Sequence, residues 1–418
     1  MRRIKAEKTK SLPITQEMVL NAYKKVKRNK GSAGVDKVSL EEYQKDFRNN
    51  LYTLWNRLAS GSYFPPSVRE ALIPKKDGKQ RKLGIPTVSD RIAQQVLKSY
   101  LEPRLERIFH KNSYGYRPLK SAHQAIEAVR HNVRNYAWVI DMDIKRFFDE
   151  VNHGLLMKAL DCHVSEKWVK MYVTRWLEAS VKGVDGQLYL KEGMGTPQGG
   201  VISPLLANLY LHYTLDKWIE KHYRALSFVR YADDVIIHCR SEEEANQVLL
   251  SLKQRLQECS LRLNEEKTSI VYCQDYRRKK KNYSKKFDFL GFRFQPRPSK
   301  SKRGGMFLGF DCAISPASKQ RIARKWKEMK IHRWTSTDLH GIAKVVNPIL
   351  RGIYRYYGKF KPWELGKVLR AFHFRLVKWV VNKYKRFGRS YNKGYKWLQK
   401  VKASYPYIFY HWSIGISM

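Results

Sequence analysis

Apolar residues recur at helical spacing in the first part of the chain, and this pattern predicts two helices between residues 15 and 60. The second helix begins at the capping box Ser39-Leu40-Glu41-Glu42, in which the first and last residues satisfy each other's backbone amides. Similar patterns predict helices over residues 90–109 and 119–135. The apolar stripe of the second helix is most simply core, and it consists of Leu40, Tyr43, Phe47, Leu51, Leu54, Trp55 and Leu58.

Short apolar runs bounded by turn residues predict strands. Residues 67–86 are typical of a hairpin that turns at Asp77-Gly78, a strong hairpin signal. A strand is expected over residues 137–143, and a second hairpin over 226–239 bends near Ala232-Asp233-Asp234. The mixture predicts an α+β fold with a small sheet. Further strands are expected within 186–200, at 268–273 and at 287–294, with helices over 153–180, 203–221 and 241–259.

The composition changes towards the end of the chain. Residues 277–281 form a block of five cations that is expected in an exposed loop. From residue 311 onward, 24 Lys and Arg stand against only four acids, which are Asp311, Glu328, Asp338 and Glu364. Helical patterns over 316–330, 338–353 and 363–386 therefore predict a separate basic helical domain.

A large excess of positive charge indicates a polyanionic partner. The 418 residues carry 82 Lys and Arg against 37 Asp and Glu, a formal net charge of +45. Self-repulsion disfavours a compact chain with such an excess, so a binding role is expected. Aromatic residues make up 13% of the chain. Rings that stack on bases, beside cations that neutralise phosphates, favour nucleic acid over membrane as the partner.

The cysteines and the first residues indicate a reducing compartment. The five cysteines are scattered and none lies in a C-x-x-C pair, so a zinc site of that kind is not supported. The basic start MRRIKAEKTK is not followed by an apolar segment, and the chain has no run of 18 apolar residues. We therefore expect a cytoplasmic protein without a signal peptide or a membrane span.

Two groups of carboxylates interrupt apolar strands. Asp141 and Asp143 share one face of a strand because they are two positions apart. Asp233 and Asp234 lie at a hairpin bend, where aspartate is common, so that pair alone is explained as a turn. A buried carboxylate without a partner is costly, however, and Mg²⁺ would supply the compensating charge. Two such ions can align a 3′-hydroxyl with a leaving pyrophosphate, which makes these acids candidates for phosphoryl transfer.

The tetrapeptide Tyr231-Ala232-Asp233-Asp234 resembles the Y-x-D-D hairpin of reverse transcriptases. Seven more segments follow that family's order over about residues 30–294, and together they resemble most the reverse transcriptase/maturase encoded by group II introns. A looser similarity to that group's thumb, or maturase X, domain includes residues 351–357 (RGIYRYY). The seven segments are 31–36 (GSAGVD), 73–75 (IPK) with 81–87 (RKLGIPT), 113–118 (SYGYRP), 141–149 (DMDIKRFFD), 195–208 (GTPQGGVISPLLAN), 263–268 (LNEEKT) and 289–292 (FLGF).

The resemblance implies a right-hand polymerase with an antiparallel palm sheet, followed by an α-helical thumb/maturase domain. The implied boundaries are an N-terminal extension at 1–29, fingers at 30–134, a palm at 135–300 and the thumb at 311–418. Many members of the group also end in an endonuclease rich in His, Asn and paired Cys, and the end of this chain has no such cluster. No nuclease domain is therefore expected.

The resemblance also implies which residues hold metal. The implied metal ligands are Asp143, the backbone carbonyl of Ile144 and Asp233, and Asp234 is expected beside them. Two Mg²⁺ ions are implied, with Mn²⁺ as a substitute. Asp141 is then expected to be a structural acid near the site.

Nucleotide contacts carry over to residues on both sides of the acids. Phe148 matches a position that packs under the nucleotide sugar and excludes a 2′-hydroxyl, with plain core packing as the alternative. Lys75 and Arg81 match residues that hold the triphosphate, in place of a solvated face of the hairpin. Gln198 matches a residue that borders the incoming nucleotide and the template. Lys267 approaches the phosphates or is a surface lysine.

Contacts to the nucleic-acid strands are expected from four further residues. Gly199 would let the backbone approach a strand closely. Arg117 contacts the template or ties the fingers together. Arg351 and Arg355 belong to the basic, aromatic-rich thumb, which is expected to bind folded RNA through its shape and phosphates.

Three functions fit these residues. The first is an RNA-directed DNA polymerase that extends a DNA primer with dNTPs on an RNA template, above all its own group II intron RNA. This protein would also bind the intron RNA to assist splicing and mobility. The second is a splicing cofactor with a vestigial site, which the complete acidic set argues against. The third is a reverse transcriptase used in another role, such as defence or repair. No protein partner is evident.

Overall fold

We describe the protein from a computed structural model, which covers residues 11–74, 80–301 and 303–415. The chain is divided into two compact units. The first consists of the chain up to Ala125 together with Ile140–Ser269, and the second consists of Ile126–Val139 together with the chain from Ile270 onward. Within the described ranges, no helix is long and apolar enough to cross a membrane. The division into fingers, palm and thumb stays a prediction.

The first unit begins with three helices where the periodicity predicts two. The first helix is Gln16–Asn29. The predicted second helix is divided into Leu40–Lys45 and Phe47–Ala59, because Asp46 leaves helical geometry with φ −124° and ψ 45°. The pattern of buried residues is continuous across this break, so the periodicity alone does not reveal it.

The predicted capping box is confirmed. The Glu42 amide donates to the Ser39 hydroxyl at 3.1 Å, and the Ser39 amide donates to the Glu42 carboxylate at 2.6 Å. Leu54 and Leu58 of the apolar stripe are buried as expected. The stripe therefore forms core and carries no chemistry.

The predicted hairpin over residues 67–86 is also confirmed. Val68–Pro74 pairs antiparallel with Gln80–Ile85, and we call these two strands the basic hairpin. Its turn, with Lys75 and Asp77-Gly78, lies outside the described residues. Two short strands, Val181–Lys182 and Leu188–Tyr189, complete this sheet.

A second sheet contains the predicted strand near residue 140 and the predicted hairpin near residue 233. Trp138–Met142 lies beside Asp234–Cys239, which pairs antiparallel with Ser227–Tyr231. We call this last pair the acidic hairpin. Val235 to Cys239 are all buried, so both faces of this strand are covered by protein.

The other helices of the first unit follow the predictions with two interruptions. The pattern over 153–180 is two helices, separated at residues 162–166, and the pattern over 203–221 contains the π-helical turn His212–Asp216. The short strands Ile144–Lys145 and Arg262–Leu263 pair antiparallel. The helices are Val88–Glu106, Phe147–Glu150, His153–Asp161, Lys167–Glu178, Ser203–Leu211, Lys217–His222 and Glu242–Glu258. The helix Ala122–Asn132 begins in the first unit and ends in the second.

The second unit contains a small antiparallel sheet and a set of packed helices. Phe287–Phe289, Phe292–Lys300 and Met306–Ile314 pair in that order, and we call the last two strands the long hairpin. The strand expected at 268–273 is Ser269–Tyr272. The helices are Pro316–Glu328, Leu339–Tyr357, Gly366–Lys383, Tyr391–Ser404 and Tyr410–Ser413, of which the last two were not predicted.

The core of the second unit is aromatic. Trp326, Phe372, Trp379 and Phe409 are fully buried. The charge block at 277–281 is exposed except at Arg278. The Arg278 guanidinium instead donates to the backbone carbonyls of Val133 and Tyr136, at 2.9 Å each, and so helps to hold this unit together.

Candidate active site

The acidic hairpin carries its two aspartates at a two-residue turn. Tyr231 pairs with Asp234, so Ala232 and Asp233 form the turn. Ala232 has φ +58°, a left-handed conformation that is uncommon for a residue with a side chain. Such a turn needs support from the residues around it.

A buried arginine provides that support. The Arg230 guanidinium, which is fully buried, donates to both carboxylate oxygens of Asp216, at 2.7 and 2.6 Å. It also donates to the Asn208 side chain at 2.9 Å and to the Ala232 carbonyl at 3.2 Å. The turn is thereby tied to the helical segment that ends in the π-helical turn His212–Asp216. A π-helical turn of this kind is often found at functional sites.

The sequence reasoning missed this network. Its signal was an arginine within the apolar run Phe228-Val229-Arg230 and an aspartate that closes a long apolar helical pattern at Asp216. Charged residues at such positions are rarely buried unless they are paired.

Gly115 of the SYGYRP segment packs directly against the same turn. A Cβ atom at this position would lie 2.4 Å from the Ala232 nitrogen. The Asn208 side chain donates to the Gly115 carbonyl at 2.7 Å, and the Tyr114 amide donates to the Arg230 carbonyl at 2.8 Å. Only glycine allows this approach, which explains why the segment has glycine here.

Asp143 lies just after the strand Trp138–Met142 and is held by the LNEEKT segment. The Asn264 side chain donates to the Asp143 carboxylate at 2.7 Å, and the Asn264 amide donates to the Asp143 carbonyl at 2.9 Å. The Lys267 ammonium lies 3.5 Å from the same carboxylate. These contacts fix the direction of the Asp143 side chain.

Asp143 and Asp233 line one cleft of about 1180 Å³ in the first unit. Burial raises the pKa of Asp233 above its ordinary value, and the charge of Asp143 raises it further, while Arg81 and Lys267 act in the opposite direction. Asp234 is exposed to solvent, although the surrounding protein still desolvates its carboxylate. This desolvation, followed by the charges of Asp233 and Asp143, raises the pKa of Asp234 to about 7.

The acids therefore repel one another across the cleft. Among the described residues, however, no three His, Cys, Asp or Glu side chains are grouped closely enough to hold a metal ion by themselves. In the described part of the chain, the cleft therefore holds carboxylates that its lysines and arginines offset only in part.

Most of the predicted nucleotide contacts lie on the same cleft. Arg81, Phe148, Gln198 and Lys267 all line it, as does Ile144, whose backbone carbonyl was predicted to be a metal ligand. The Phe148 side chain is half-buried on the cleft wall, while the neighbouring Phe147 is in the core. The role implied for Phe148 stays a prediction. Lys75 lies outside the described residues.

The close backbone approach predicted at Gly199 is made to another part of the protein. With φ +117°, it would place a Cβ atom 2.3 Å from the Gly84 carbonyl oxygen, and the Gly84 amide donates to the Gln198 carbonyl at 2.6 Å. The glycine thus lets the turn Pro197-Gln198-Gly199 pack on the basic hairpin. A contact of Gly199 with nucleic acid stays a prediction.

The contacts of Arg117 support the second of its two predicted roles. Its guanidinium is 5% exposed and pairs with the Glu106 carboxylate at 2.6 Å. It also donates to the carbonyls of His110 and Ser113, at 2.6 and 2.7 Å. These contacts show that Arg117 holds this segment together. Arg351 and Arg355 are exposed on the helix Leu339–Tyr357 of the second unit.

Comparisons with known proteins agree with this geometry. A family described as "Reverse transcriptase (RNA-dependent DNA polymerase)" matches residues 73–294, and one described as "Group II intron, maturase-specific domain" matches residues 319–397. Protein YkfC of Escherichia coli (strain K12) is 33% identical over 58% of this chain and 73% of its own length. The group II intron-encoded protein LtrA of Lactococcus lactis subsp. cremoris is 27% identical over 87% of this chain and 72% of its own length.

More distant similarities cover less of the other protein. An uncharacterized 91 kDa protein in the cob intron of Schizosaccharomyces pombe is 26% identical over 83% of this chain and 50% of its own length. A solved structure of apo telomerase from Candida tropicalis overlaps 60% of this chain and 55% of that chain, at 16% identity and a TM-score of 0.45. An overlap this low carries no conclusion about activity.

Proposed function

The chain belongs to the reverse transcriptase family, and we propose that it copies the RNA of its parent group II intron into DNA. It joins an RNA-directed DNA polymerase region to a group II intron maturase domain. We also propose that it binds the intron RNA to assist splicing and mobility. A DNA primer and dNTPs are the proposed co-substrates. The observation that carries the proposal is the cleft in which Asp143 and Asp233 meet Arg81 and Lys267.

We propose Mg²⁺ as the cofactor, with Mn²⁺ as a substitute. Mg²⁺ prefers hard oxygen ligands. The available donors are of this kind: the carboxylates of Asp143, Asp233 and Asp234 and the backbone carbonyl of Ile144. Burial, followed by repulsion among these acids, raises the pKa of Asp233 and Asp234, and a nearby cation would offset that cost. A closed protein cage is not required, because Mg²⁺ usually retains water and substrate phosphates as ligands. When bound, a pair of such ions would neutralise charge on the reacting phosphate and lower the pKa of the attacking 3′-hydroxyl.

The cations of the cleft are proposed to bind the triphosphate. The charges of Arg81 and Lys267 oppose the rise in the pKa of both Asp233 and Asp234, so these cations act on the same region as the acids. Lys75 is proposed to bind the triphosphate as well, and only its match to the family pattern supports this role. Positioning and charge neutralisation are the main requirements of phosphoryl transfer, so no side-chain nucleophile is needed.

Phe148 and Gln198 are proposed to select the nucleotide. The half-buried Phe148 ring on the cleft wall would exclude a 2′-hydroxyl and so favour dNTPs. Gln198 would border the incoming nucleotide and the template. Its position is held by the hydrogen bond between its carbonyl and the Gly84 amide.

We propose the second unit as the main binder of intron RNA, and the cytoplasm as the compartment. The maturase match lies within this unit, and Arg351 and Arg355 are exposed there. All five cysteines are free, which suits a reducing compartment.

Primer extension tests the proposal directly. Purified protein with an RNA template, a DNA primer, dNTPs and Mg²⁺ should extend the primer. The double variant Asp233→Ala, Asp234→Ala should lose extension and keep its affinity for RNA, because the maturase region is unchanged. Extension by the double variant would overturn the site, whereas wild-type protein that binds intron RNA and never extends a primer would favour the splicing-only alternative.

A further inference from the structure

The second unit has a cleft of its own, with a volume of about 1080 Å³. Its lining comes from the end of the helix Ala122–Asn132, from the loop Asp275 to Arg277, from the long hairpin and from the segment Lys359 to Trp363. We call it the aromatic cleft. Its volume lies slightly above the roughly 300–1000 Å³ found for small-ligand pockets, so it has room for more than one planar group.

Three aromatic side chains of this cleft are exposed. Trp363 is 68% exposed, Tyr276 is 55% exposed and Phe307 is 38% exposed. The rings of Tyr276 and Phe307 meet edge to face, with centroids 5.6 Å apart, and the Tyr276 amide donates to the Leu308 carbonyl at 2.9 Å. These rings are therefore held in place on the surface. Large apolar side chains grouped in this way on a surface usually mark a binding site.

The acids of the aromatic cleft are already neutralised. Arg130 donates to both oxygens of the Asp311 carboxylate, at 2.7 and 3.2 Å, and the Lys361 ammonium lies 3.5 Å from it. Asp275 accepts from the Arg277 guanidinium at 2.8 Å. Neither carboxylate is left to attract a cation.

Basic side chains remain in excess once these pairs are made. Six Lys and Arg line the cleft against two Asp. Arg134 and Lys300 are exposed there, and the Arg130 guanidinium lies over the ring of the buried Phe360, with 4.9 Å to the centroid. The cleft thus presents flat apolar faces beside cations.

We propose that the aromatic cleft binds unstacked bases of a single-stranded RNA segment, with Trp363 and the Tyr276–Phe307 pair stacking on the bases and Arg134 and Lys300 neutralising the phosphates. Bases in a duplex are stacked on each other and would not offer their faces to these rings, so single strands are the preferred ligand. The source of the RNA rests on the proposed function, whereas the recognition of bases and phosphates rests on the cleft itself.

Photocrosslinking tests this proposal. A short oligoribonucleotide that contains 5-iodouridine is irradiated with the full-length protein in the presence of saturating primer–template. The primer–template occupies the cleft that Asp143 and Asp233 line, which we call the polymerase cleft. The crosslinked peptides are identified by mass spectrometry. We expect crosslinks to Trp363, Tyr276 or Phe307, and we expect a blunt RNA duplex of the same sequence to compete poorly. Crosslinks confined to the polymerase cleft would overturn the proposal.

Matched variants measure the contribution of the cleft. Trp363→Ala should weaken binding of the oligoribonucleotide by roughly tenfold, the scale of one base–aromatic stack, and Trp363→Phe should restore most of it. Tyr407→Ala, which removes an aromatic side chain that is 83% exposed elsewhere in the second unit, should change nothing.

The same preparations separate the two proposals. Trp363→Ala should still extend a primer at saturating primer–template, because it leaves the polymerase cleft intact. Failure of all preparations to extend would count against the proposed function and leave the cleft untouched. Equal oligoribonucleotide binding by wild type and Trp363→Ala would overturn the cleft, and a protein partner would then be the better candidate for these rings.

Discussion

The polymerase cleft of the first unit and the aromatic cleft of the second unit both contain aspartates near arginines and lysines, but the two clefts treat those aspartates in opposite ways. At the polymerase cleft, burial and neighbouring carboxylates raise the pKa of Asp233, which lines the cleft, and of the adjacent Asp234, despite Arg81 and Lys267. In the aromatic cleft, burial acts to raise the pKa of Asp311, but the hydrogen bonds and charge of Arg130 outweigh it and hold that pKa below its ordinary value.

This difference teaches that the partners of an acid decide what a cleft attracts. Carboxylates that repel one another without full neutralisation favour a cation. Carboxylates that are already paired leave the remaining lysines and arginines free to attract an anion. One basic chain can therefore contain a site for metal ions and a site for phosphates.

The largest effect on stability is expected at another aspartate, Asp216, which is fully buried with Arg230. Arg230→Met leaves this carboxylate buried without its partner, a loss of about 3–5 kcal/mol. Urea unfolding should show the loss, and primer extension should fall because the turn loses its support at Ala232. Arg240→Met, at an exposed position after the same hairpin, is the control. An Arg230 variant as stable as that control would show that the pair does not hold the turn.

Gly115→Ala should act on the same turn with a smaller loss of stability. The added Cβ would lie 2.4 Å from the Ala232 nitrogen, and overpacking of this kind costs about 1–3 kcal/mol. A displaced turn should reduce kcat for primer extension on the order of 100-fold. The control is Gly352→Ala, where no atom lies within 4 Å of the added Cβ. Unchanged kcat in the Gly115 variant would mean that the turn tolerates displacement.

Asp311→Asn probes the opposite kind of aspartate. Its ion pair with Arg130 is partly exposed, so the loss should be about 1–2 kcal/mol at pH 7. The pKa of Asp311 is lowered in the folded protein, so the stabilisation is present above the unfolded pKa of about 3.9 and is lost as the pH falls through the folded value. Unfolding measured from pH 7 downward should show the difference between variant and wild type starting to shrink near pH 4 and vanishing only below the lowered folded pKa of Asp311. A constant difference at all pH values would exclude this pair as its cause.

Lys267→Met should have the smallest effect. Its side chain is 62% exposed and lies 3.5 Å from the Asp143 carboxylate. Loss of one exposed cation near the triphosphate should raise the KM for dNTPs by roughly three- to tenfold, with little change in stability. Lys253→Met is the control, because Lys253 lines the same cleft but is paired with Glu265 at 2.6 Å. Equal KM values for the two variants would support the alternative that Lys267 is a surface lysine.

Local features were predicted well from the sequence. The capping box at Ser39, the basic hairpin and the bend at Ala232-Asp233 depend on residues close together in the chain, and each lies where the pattern indicates. The family pattern also identified Asp143 and Asp233 as partners, and both line one cleft. The ligand roles of these residues stay predictions.

Features that depend on distant contacts were missed. The break at Asp46 lies within an unbroken apolar pattern. The tie from Arg230 to Asp216 requires a π-helical turn that no spacing rule signals. The packing of Gly199 against the Gly84 carbonyl was not foreseen because the two residues are remote in the chain. The strand Met306–Ile314 and the helix Tyr391–Ser404 gain much of their stability from packing within the second unit, and propensity alone signals them weakly.

The most direct measurement compares primer extension by Asp143→Asn and Asp311→Asn at saturating primer–template, with the folded fraction of each protein matched beforehand. Both changes remove one negative charge with little change of shape, one from the acids that repel each other and one from an acid that is already paired. We predict that Asp143→Asn loses extension by at least about a hundredfold, the scale on which charge stabilisation of the transition state acts, while Asp311→Asn extends the primer at the wild-type rate. Similar rates for the two variants would contradict the assignment of the polymerase cleft.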